Sequence, residues 1–268
     1  MMEVISNKIE NLFSGGYHEP RTVDYFLVSN PRWQILTFIG AYLLIAWKLG
    51  PFLMSSIRPY DLRPWMLVLN GLNFGVYGIA IPILGWLTNF GFNCWQCAEP
   101  KEGFFIEETL LRLSYTYLWL KLADIMTTLV MILRAKPGQK PINHALRNSS
   151  LILVVYFALR MYAKGSILFL PFTDAILSVL RSAYYVLASP GAAFRHHLWF
   201  KNYIHYVALL FAILNATHGI SHLAKSCAGP PGMMILVILH SCGEIYTAIK
   251  ELTSKSKLAE DEFTTKSR

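Results

Sequence analysis

A long stretch of this 268-residue chain carries no charged side chain. No Asp, Glu, Lys or Arg lies between Arg63 and Glu99, and the apolar part of the stretch extends from Trp65 to Phe92. About 20 consecutive apolar residues are enough for an α-helix to cross the hydrocarbon core of a bilayer. The stretch is therefore predicted to span a membrane, and the rest of the sequence is interpreted in that light.

The composition agrees with a membrane protein. The chain is 54% hydrophobic and only 15% charged, whereas an ordinary soluble domain is about 25% charged. This excludes a disordered chain and disfavours a water-soluble globule. Lys and Arg exceed Asp and Glu by 24 to 16, which gives a net charge of +8. In a membrane protein such an excess reports which ends face the cytosol, so lipid and not nucleic acid is the expected environment.

Six further apolar segments resemble spans, which predicts an all-α protein with seven transmembrane helices. In chain order the predicted spans are residues 33–54, 65–92, 113–133, 149–163, 167–189, 202–224 and 233–249. The fourth and fifth are the weakest by hydropathy, because Arg160 lies in the fourth and Asp174 and Arg181 lie in the fifth.

The basic residues predict the orientation of the chain. The connections after odd-numbered spans carry Arg58, Arg63, Arg134, Lys136, Lys140, Arg147, Arg195 and Lys201, and the C-terminal tail adds Lys255, Lys257, Lys266 and Arg268. The connections after even-numbered spans carry Glu99, Glu102, Glu107 and Glu108 with few cations. The positive-inside rule places these parts in the cytosol and the N-terminus in the lumen. The first 17 residues contain charges and no apolar run, so no cleaved signal peptide is expected. We divide the chain into a polar N-terminal segment (1–32), a membrane domain (33–250) and a charged cytosolic tail (251–268).

Three cysteines fall in connections that are predicted to face the lumen, where disulfides persist. Cys94, Cys97 and Cys227 are therefore disulfide candidates, with three free thiols as the alternative. His218 and His222 are one helical turn apart, but a third ligand is not evident, so we predict no metal site.

Ionisable residues inside spans usually face the interior of a helix bundle. Lys121 and Asp124 are three residues apart and share a helix face, and Asp174, Ser178 and Arg181 form one stripe. Either these residues are ion pairs that fix helix packing, or they form a functional site. The aromatic residues Tyr115, Tyr117 and Trp119 are expected to be interfacial or packing residues.

The spacing of several motifs resembles the fatty acid elongase family, the elongation of very long chain fatty acids proteins. The motifs are Lys121-x-x-Asp124-x-x-Thr127-Thr128, Leu133-Arg134-x-Lys136-x-x-Gln139 and His144, with Gly50-Pro51 and Arg58-Pro59 upstream and Tyr184-Tyr185 downstream. The family pattern reads Lys-x-x-Glu-x-x-Asp-Thr, then Leu-Arg-Lys-Lys-x-x-Gln, then the histidine box His-x-x-His-His. The resemblance covers about residues 28–250.

The resemblance implies a seven-span enzyme of the endoplasmic reticulum. Such an enzyme condenses a long-chain acyl-CoA with malonyl-CoA to give a 3-oxoacyl-CoA, and its helices surround a tunnel for the acyl chain. Histidines meet the thioester near the cytosolic end. The implied partners are acyl-CoA, membrane lipid and other elongase subunits or a second copy of the chain. No metal or redox cofactor is implied, and the acyl-CoA and malonyl-CoA are substrates.

The chain departs from the family pattern where chemistry is expected. In the histidine box only His144 remains, because Arg147 and Asn148 replace the adjacent histidine pair. Ser178 replaces the histidine of the fifth span, while His205 is an additional histidine in the sixth. Arginine stays protonated in proteins and cannot act as a general base.

Three hypotheses follow from these departures. The chain is an active elongase with a rebuilt site, or a catalytically silent homologue that binds acyl-CoA or an active elongase, or, more remotely, a seven-span receptor or transporter. In the first case the catalytic candidates are His144, His205, Lys121 and Asp124. The candidates for substrate binding are Arg134, Gln139, Arg147, Asp174, Ser178, Arg181, Tyr184 and Tyr185.

The new charges allow two interpretations. Asp174 and the arginines Arg147 and Arg181 are expected to lie close together. They form a structural plug, because an unpaired buried charge is costly, or the two arginines hold a CoA phosphate or a carboxylate by bidentate contacts.

Overall fold

All regular structure in the described part of the chain is helical. The computed structural model describes residues 20–22, 25–28, 32–96, 104–135, 141–161, 168–188, 199–225 and 231–266. The helices are α1 (Arg32–Leu44), a π-helical segment (Ile45–Leu49), α2 (Gly50–Met54), α3 (Arg63–Thr88), α4 (Phe104–Arg134), α5 (Pro141–Met161), α6 (Phe169–Ala188), α7 (Lys201–Ala224) and α8 (Pro231–Lys266). Because α1, the π-helical segment and α2 follow one another directly, a helical rod forms at each of the seven predicted spans.

Five of the rods are long and apolar enough to cross a membrane. They are Trp33–Met54, Arg63–Thr88, Glu108–Arg134, Tyr203–Ala224 and Pro231–Thr253. This confirms the prediction of an all-α, multi-pass membrane protein. The helices α5 and α6 form as predicted but do not reach the same apolarity, in agreement with the weak hydropathy of the fourth and fifth predicted spans.

The distribution of side chains is that of a protein surrounded by lipid. Along α3, Trp65, Leu72, Ile79 and Trp86 are 60–79% exposed. In contrast, the charged side chain of Lys121 on α4 is only 2% exposed. Soluble proteins rarely expose a continuous apolar face of this kind, whereas ionisable groups of membrane proteins are directed into the bundle.

The two helices with low hydropathy are the most enclosed ones. On α5 the side chains of Ile152, Tyr156 and Leu159 are fully buried, and on α6 the residues from Phe169 to Ala175 are all buried. The helix α6 packs against α3 and α7, while α5 packs against α4 and α8. Since neighbouring helices cover much of their surface, α5 and α6 need fewer apolar residues than helices that face lipid.

The helix at the fourth predicted span begins before that span. The helix begins at Pro141, eight residues before the predicted span at 149. Proline is favoured in the first turn because its missing N–H would have no intrahelical partner there. His144 and Arg147 therefore lie on a helix, and Arg147 is not a residue of the preceding connection.

The connection after α3 turns back onto the bundle. Asn89 ends α3 in the left-handed conformation (φ 49°), and Gly91 has a φ of 89°. A Cβ atom at Gly91 would lie 3.0 Å from the ring of Phe169, so the turn needs a residue without a side chain. The turn leads into a short 3-10 helix, Phe92–Trp95, in which Cys94 is buried.

Candidate functional site

A buried lysine lies at the centre of the bundle between two carboxylates. Tyr117, Lys121 and Asp124 share one face of α4, and Asp174 reaches the same place from α6. Nζ of Lys121 lies 2.5 Å from Oδ2 of Asp174 and 3.4 Å from Oδ2 of Asp124. The predicted pairing of Lys121 with Asp124 is present, and Asp174 is the nearer partner.

Neutral side chains donate further hydrogen bonds to both carboxylates. The hydroxyl of Tyr117 donates to Oδ2 of Asp174 at 2.5 Å. The hydroxyl of Tyr77 and Nδ2 of Asn73, both on α3, donate to Oδ2 and Oδ1 of Asp124 at 3.0 and 2.8 Å. We call Lys121, Asp124, Asp174, Asn73, Tyr77 and Tyr117 the lysine cluster. Because it joins α3, α4 and α6 and its charges are surrounded by partners, this cluster fixes helix packing.

A second charged group lies between α5, α6 and α8. Nη2 of Arg181 is 3.4 Å from Oε2 of Glu244, and Nη1 of the same guanidinium is buried without a hydrogen-bond partner. Glu244 is also among the charged neighbours of Arg147 on α5. We call Arg147, Arg181 and Glu244 the arginine cluster. The expected direct pairing of Asp174 with the arginines is replaced by its contacts with Lys121 and Tyr117.

His144, the remaining histidine of the predicted box, is held by hydroxyl groups. Its Nδ1 lies 2.7 Å from Oγ1 of Thr128 on α4, and the same Oγ1 lies 2.6 Å from the hydroxyl of Tyr42 on α1. Such a hydrogen bond sets the orientation and the tautomer of an imidazole ring.

Asn148 and Ser178, which stand at two positions of the missing histidines, both contact the lysine cluster. Nδ2 of Asn148 donates to the backbone oxygen of Lys121 at 2.9 Å, and Asn148 is 3% exposed. The hydroxyl of Ser178 donates to Oδ2 of Asp174 at 3.4 Å. Both side chains therefore act as hydrogen-bond donors to structural groups.

The second predicted catalytic imidazole has different surroundings from the first. Nδ1 of His205, on α7, lies 3.0 Å from Oε2 of Glu251 on α8. No contact between His205 and His144 brings the two rings together in the described residues.

The other predicted site residues fall into three groups. Tyr184 and Tyr185 lie edge to face with ring centres 5.3 Å apart, and Tyr185 packs against a cluster that contains Met66. Arg134 is the last residue of α4. Gln139, Cys97 and Cys227 lie outside the described residues, so the disulfide remains a prediction.

A small polar cavity lies between α6, α7 and α8. Its volume is about 10 Å³, which is about enough for one water molecule. It is lined by Leu170, Thr173, Asp174, Leu177, Ala208, Ala212, Asn215, His240, Ser241 and Glu244. Nδ1 of His240 is 2.7 Å from the hydroxyl of Ser150. This cavity touches both charged clusters, but an acyl chain would not fit into it.

The paired histidines of α7 bind a backbone carbonyl. Nε2 of His218 and Nε2 of His222 lie 3.0 and 2.8 Å from the carbonyl oxygen of Cys94. Because a carbonyl only accepts, both nitrogens carry a proton and are not available to a metal ion. In the described residues no group of three or more His, Cys, Asp or Glu is arranged to hold a metal. Burial raises the pKa of the Cys94 thiol to about 12.

Several site residues were missed from the sequence. Tyr117 is a buried packing residue, as expected, but the binding of its hydroxyl to Asp174 was not anticipated. The sequence signal was its position four residues before Lys121, which places both side chains on one face of a helix. The spacing of four residues between Asn73 and Tyr77, and between His240 and Glu244, indicates a shared helix face in the same way. Which helices these faces meet could not be obtained from spacing.

Comparisons with known proteins agree with this architecture. The GNS1/SUR4 family, ELO, matches residues 26–247. A very long chain fatty acid elongase of Aedes aegypti is 24% identical over 96% of this chain and 75% of its own. The very long chain fatty acid elongase 1 of Homo sapiens is 24% identical over 91% and 87%, and elongase 5 of Xenopus laevis is 26% identical over 96% and 89%. These matches confirm the resemblance of the motifs.

Proposed function

Because the chain belongs to the GNS1/SUR4 (ELO) family, we propose that it serves fatty acid elongation as a member that does not catalyse the condensation itself. Its proposed role is to bind a long-chain acyl ligand in the membrane of the endoplasmic reticulum. The relatives named as very long chain fatty acid elongases support the process. The residues of the candidate site support the absence of condensation.

We propose seven spans for the membrane domain. Five rods are apolar enough to cross, and α5 and α6 have about 20 residues each and are enclosed by the other helices. A helix of about 20 residues is 30 Å long, which matches the hydrocarbon core. With seven spans, the basic connections and the C-terminal tail lie in the cytosol and the N-terminus lies in the lumen.

The proposal rests mainly on the hydrogen bond that Ser178 donates to Asp174. A serine becomes a nucleophile only when a base accepts its proton. The hydroxyl of Ser178 contacts Asp174, and that carboxylate already binds Lys121 and Tyr117. An acid stabilised in its charged form in this way is a poor acceptor for another proton.

The other two replaced positions lead to the same conclusion. Arg147 remains charged and has no lone pair to offer. The amide of Asn148 is neither acid nor base, and its nitrogen is bound to the backbone of Lys121. Loss of one member of a catalytic unit commonly lowers the rate by several powers of ten, and here the residues at three such positions are replaced.

A condensation assay tests this proposal. The chain is expressed in cells that lack their own elongases, and labelled malonyl-CoA is followed into fatty acids over a range of acyl lengths. The human elongase 1 serves as the positive control. We expect no incorporation above cells with the empty vector, although the chain is present in the membrane. A variant with Arg147→His, Asn148→His and Ser178→His, which restores the family pattern, tests whether these positions limit the activity.

A second candidate function is an elongase that is rebuilt around one imidazole. The contact of His144 with Thr128 favours it, because this hydroxyl orients the ring as a catalytic base requires. Incorporation of label by the unchanged chain, abolished by His144→Ala, would contradict the first proposal and establish this one. Acyl-CoA and an active elongase, the binding partners predicted from the sequence, can be captured in the same cells.

A further inference from the structure

We propose that the cavity between α6, α7 and α8 binds one water molecule, which donates one hydrogen bond to Nε2 of His240 and another to the carboxylate of Asp174 or Glu244. Asp174 belongs to the lysine cluster and Glu244 to the arginine cluster, so the bound water connects the two. The inference does not depend on whether the chain condenses acyl-CoA, and His240 lies outside the motifs that carry the family resemblance.

The volume of the cavity suits a single water molecule. It is about 10 Å³, and a cavity needs about 10–15 Å³ to hold one water. An acyl chain or a CoA group is far larger and is excluded. A buried water also needs about two to four polar partners. The wall provides polar side chains in excess of that number, among them Asn215 and Ser241 on α7 and α8.

Ser150 fixes the tautomer of His240. The hydroxyl of Ser150 donates its single hydrogen to the backbone oxygen of Arg147 at 2.8 Å. The same oxygen lies 2.7 Å from Nδ1 of His240, so in this second bond the serine accepts and Nδ1 donates. A neutral imidazole with its hydrogen on Nδ1 has a lone pair on Nε2. Because His240 lines the cavity, Nε2 is the nitrogen that is available to a ligand there, and it needs a donor.

The two carboxylates at the cavity also have acceptor atoms to offer. Within the described part of the chain, every hydrogen bond and ion pair of the Asp174 side chain goes to Oδ2, which leaves Oδ1 without a donor. Glu244 contacts Arg181 through Oε2 and not through Oε1. Asp174 is only 5% exposed, and a buried acceptor without a donor is destabilising. The cavity therefore requires a ligand that donates hydrogen bonds.

A neutral donor fits this site better than a cation. Asp174 pairs with Lys121 and Glu244 pairs with Arg181, so each carboxylate at the cavity already has a positive partner. A further cation at this depth would be a buried charge without a counter-charge, which is costly. Water carries no net charge and donates two hydrogen bonds. Its oxygen can accept from the amide nitrogen of Asn215, which carries two hydrogens.

The site is remote from bulk solvent. His240 lies nine residues after the start of α8, which is about 14 Å along the helix axis. This places it near the middle of a hydrocarbon core of about 30 Å. Water detected at this ring is therefore a bound molecule and not solvent.

Magic-angle spinning NMR of the full-length chain in lipid bilayers tests the site. The protein is labelled with ¹⁵N-histidine, and the spectrum of His240→Gln identifies the signals of His240. We expect a protonated Nδ1, an unprotonated Nε2 and transfer of magnetisation from water protons to Nε2. Ser150→Ala removes the acceptor of Nδ1, so we expect a mixture of the two tautomers in this variant.

A variant that fills the cavity connects the water signal to this site. Ala212→Val adds two methyl groups at the cavity wall, and we expect the transfer from water to Nε2 to be lost. Ala216→Val is the matched control, because Ala216 lies one turn further along α7 and is not one of the residues that line the cavity. The control should keep the transfer. If Ala212→Val does not fold, the tautomer and the water transfer of the unchanged chain decide.

Three results would overturn the inference. One is a protonated Nε2 in the unchanged chain, which would mean that the ring itself donates to a carboxylate. The second is the absence of transfer from water to Nε2, and the third is transfer that persists equally in Ala212→Val and Ala216→Val. The condensation assay measures none of these signals, so failure of the proposed function is distinguishable from failure of the water site.

Discussion

Two charged groups in one helix bundle differ in how well their charges are satisfied. In the lysine cluster, one cation lies between two acids, and hydroxyl and amide donors from α3 and α4 complete both carboxylates. In the arginine cluster, Arg181 lies 3.4 Å from Glu244, and the buried Nη1 of the same arginine has no acceptor. We call the first group closed, because its charges are fully paired, and the second open, because one buried donor has no acceptor.

The difference predicts that the two clusters contribute unequally to stability. Buried charges with complete shells hold helices in register, and substituting one partner leaves the others exposed to a low dielectric. A buried cation with an incomplete hydrogen-bond shell keeps an unsatisfied donor, which is destabilising. The replaced histidine positions follow the same division, because Asn148 and Ser178 contact the closed cluster whereas Arg147 belongs to the open one.

The largest effect is expected from Lys121→Met. The substitution leaves Asp124 and Asp174 buried without a cation, and removing one partner from a buried pair costs about 3–5 kcal/mol. We expect a strong fall in the amount of folded protein and in the free energy of unfolding, measured by denaturant titration in detergent. Lys48→Met, at an exposed lysine, is the control. Equal stability of the two variants would show that the lysine cluster does not hold the bundle.

Asp174→Asn should have a smaller effect, because Lys121 keeps Asp124 at 3.4 Å. We expect a loss of about 2–3 kcal/mol, since one buried ion pair is broken while the amide oxygen still accepts from Tyr117. The double variant with Lys121→Met should be less destabilised than the sum of the two single variants, by about 1–3 kcal/mol. Strictly additive losses would mean that the two side chains act independently.

Tyr117→Phe isolates a single donor of the lysine cluster. The hydroxyl contributes one hydrogen bond to a charged carboxylate, so its removal should lower the free energy of unfolding by about 1.5 kcal/mol. Tyr115→Phe is the matched control, because the Tyr115 hydroxyl makes a longer bond of 3.3 Å to the backbone of Phe26. A larger loss for the control would place the important tyrosine elsewhere on α4.

The sequence predicted the helices better than their contacts. The length of the apolar segments was enough to predict the positions of all seven rods, because each rod has an apolar surface that faces lipid or the other helices. The start of α5 was missed because hydropathy responds to apolar residues, and the first turns of α5 are polar. The enclosure of α5 and α6 depends on how the other helices surround them, which periodicity does not report.

The contacts of the site were predicted only in part, because spacing reports neighbours on one helix but not contacts between helices. The pairing of Lys121 with Asp124 follows from a spacing of three residues on one helix. The nearer partner, Asp174, is 53 positions away along the chain from Lys121, and only the packing of α6 brings it there. Motif spacing located Arg147 and Arg181, but the acid they share, Glu244, carries no motif and lies on α8.

The smallest effect on stability is expected from Arg181→Met, which sharpens the contrast between the two clusters. The substitution removes the unsatisfied Nη1 and leaves Arg147 and Glu244 as one cation and one acid. Removing one partner of a buried pair is costly when the other partner is left without a counter-charge, but here Arg147 remains as a cation for Glu244 and an unsatisfied donor is removed. We expect a change within about 1 kcal/mol, although Lys121→Met, the same kind of substitution, should be severely destabilising. Glu244→Gln provides the opposite test, because it leaves two cations without an acid and should lower the stability of the ligand-free protein. If Arg181→Met were as destabilising as Lys121→Met, the arginine cluster would be a structural ion pair and not a poorly paired group.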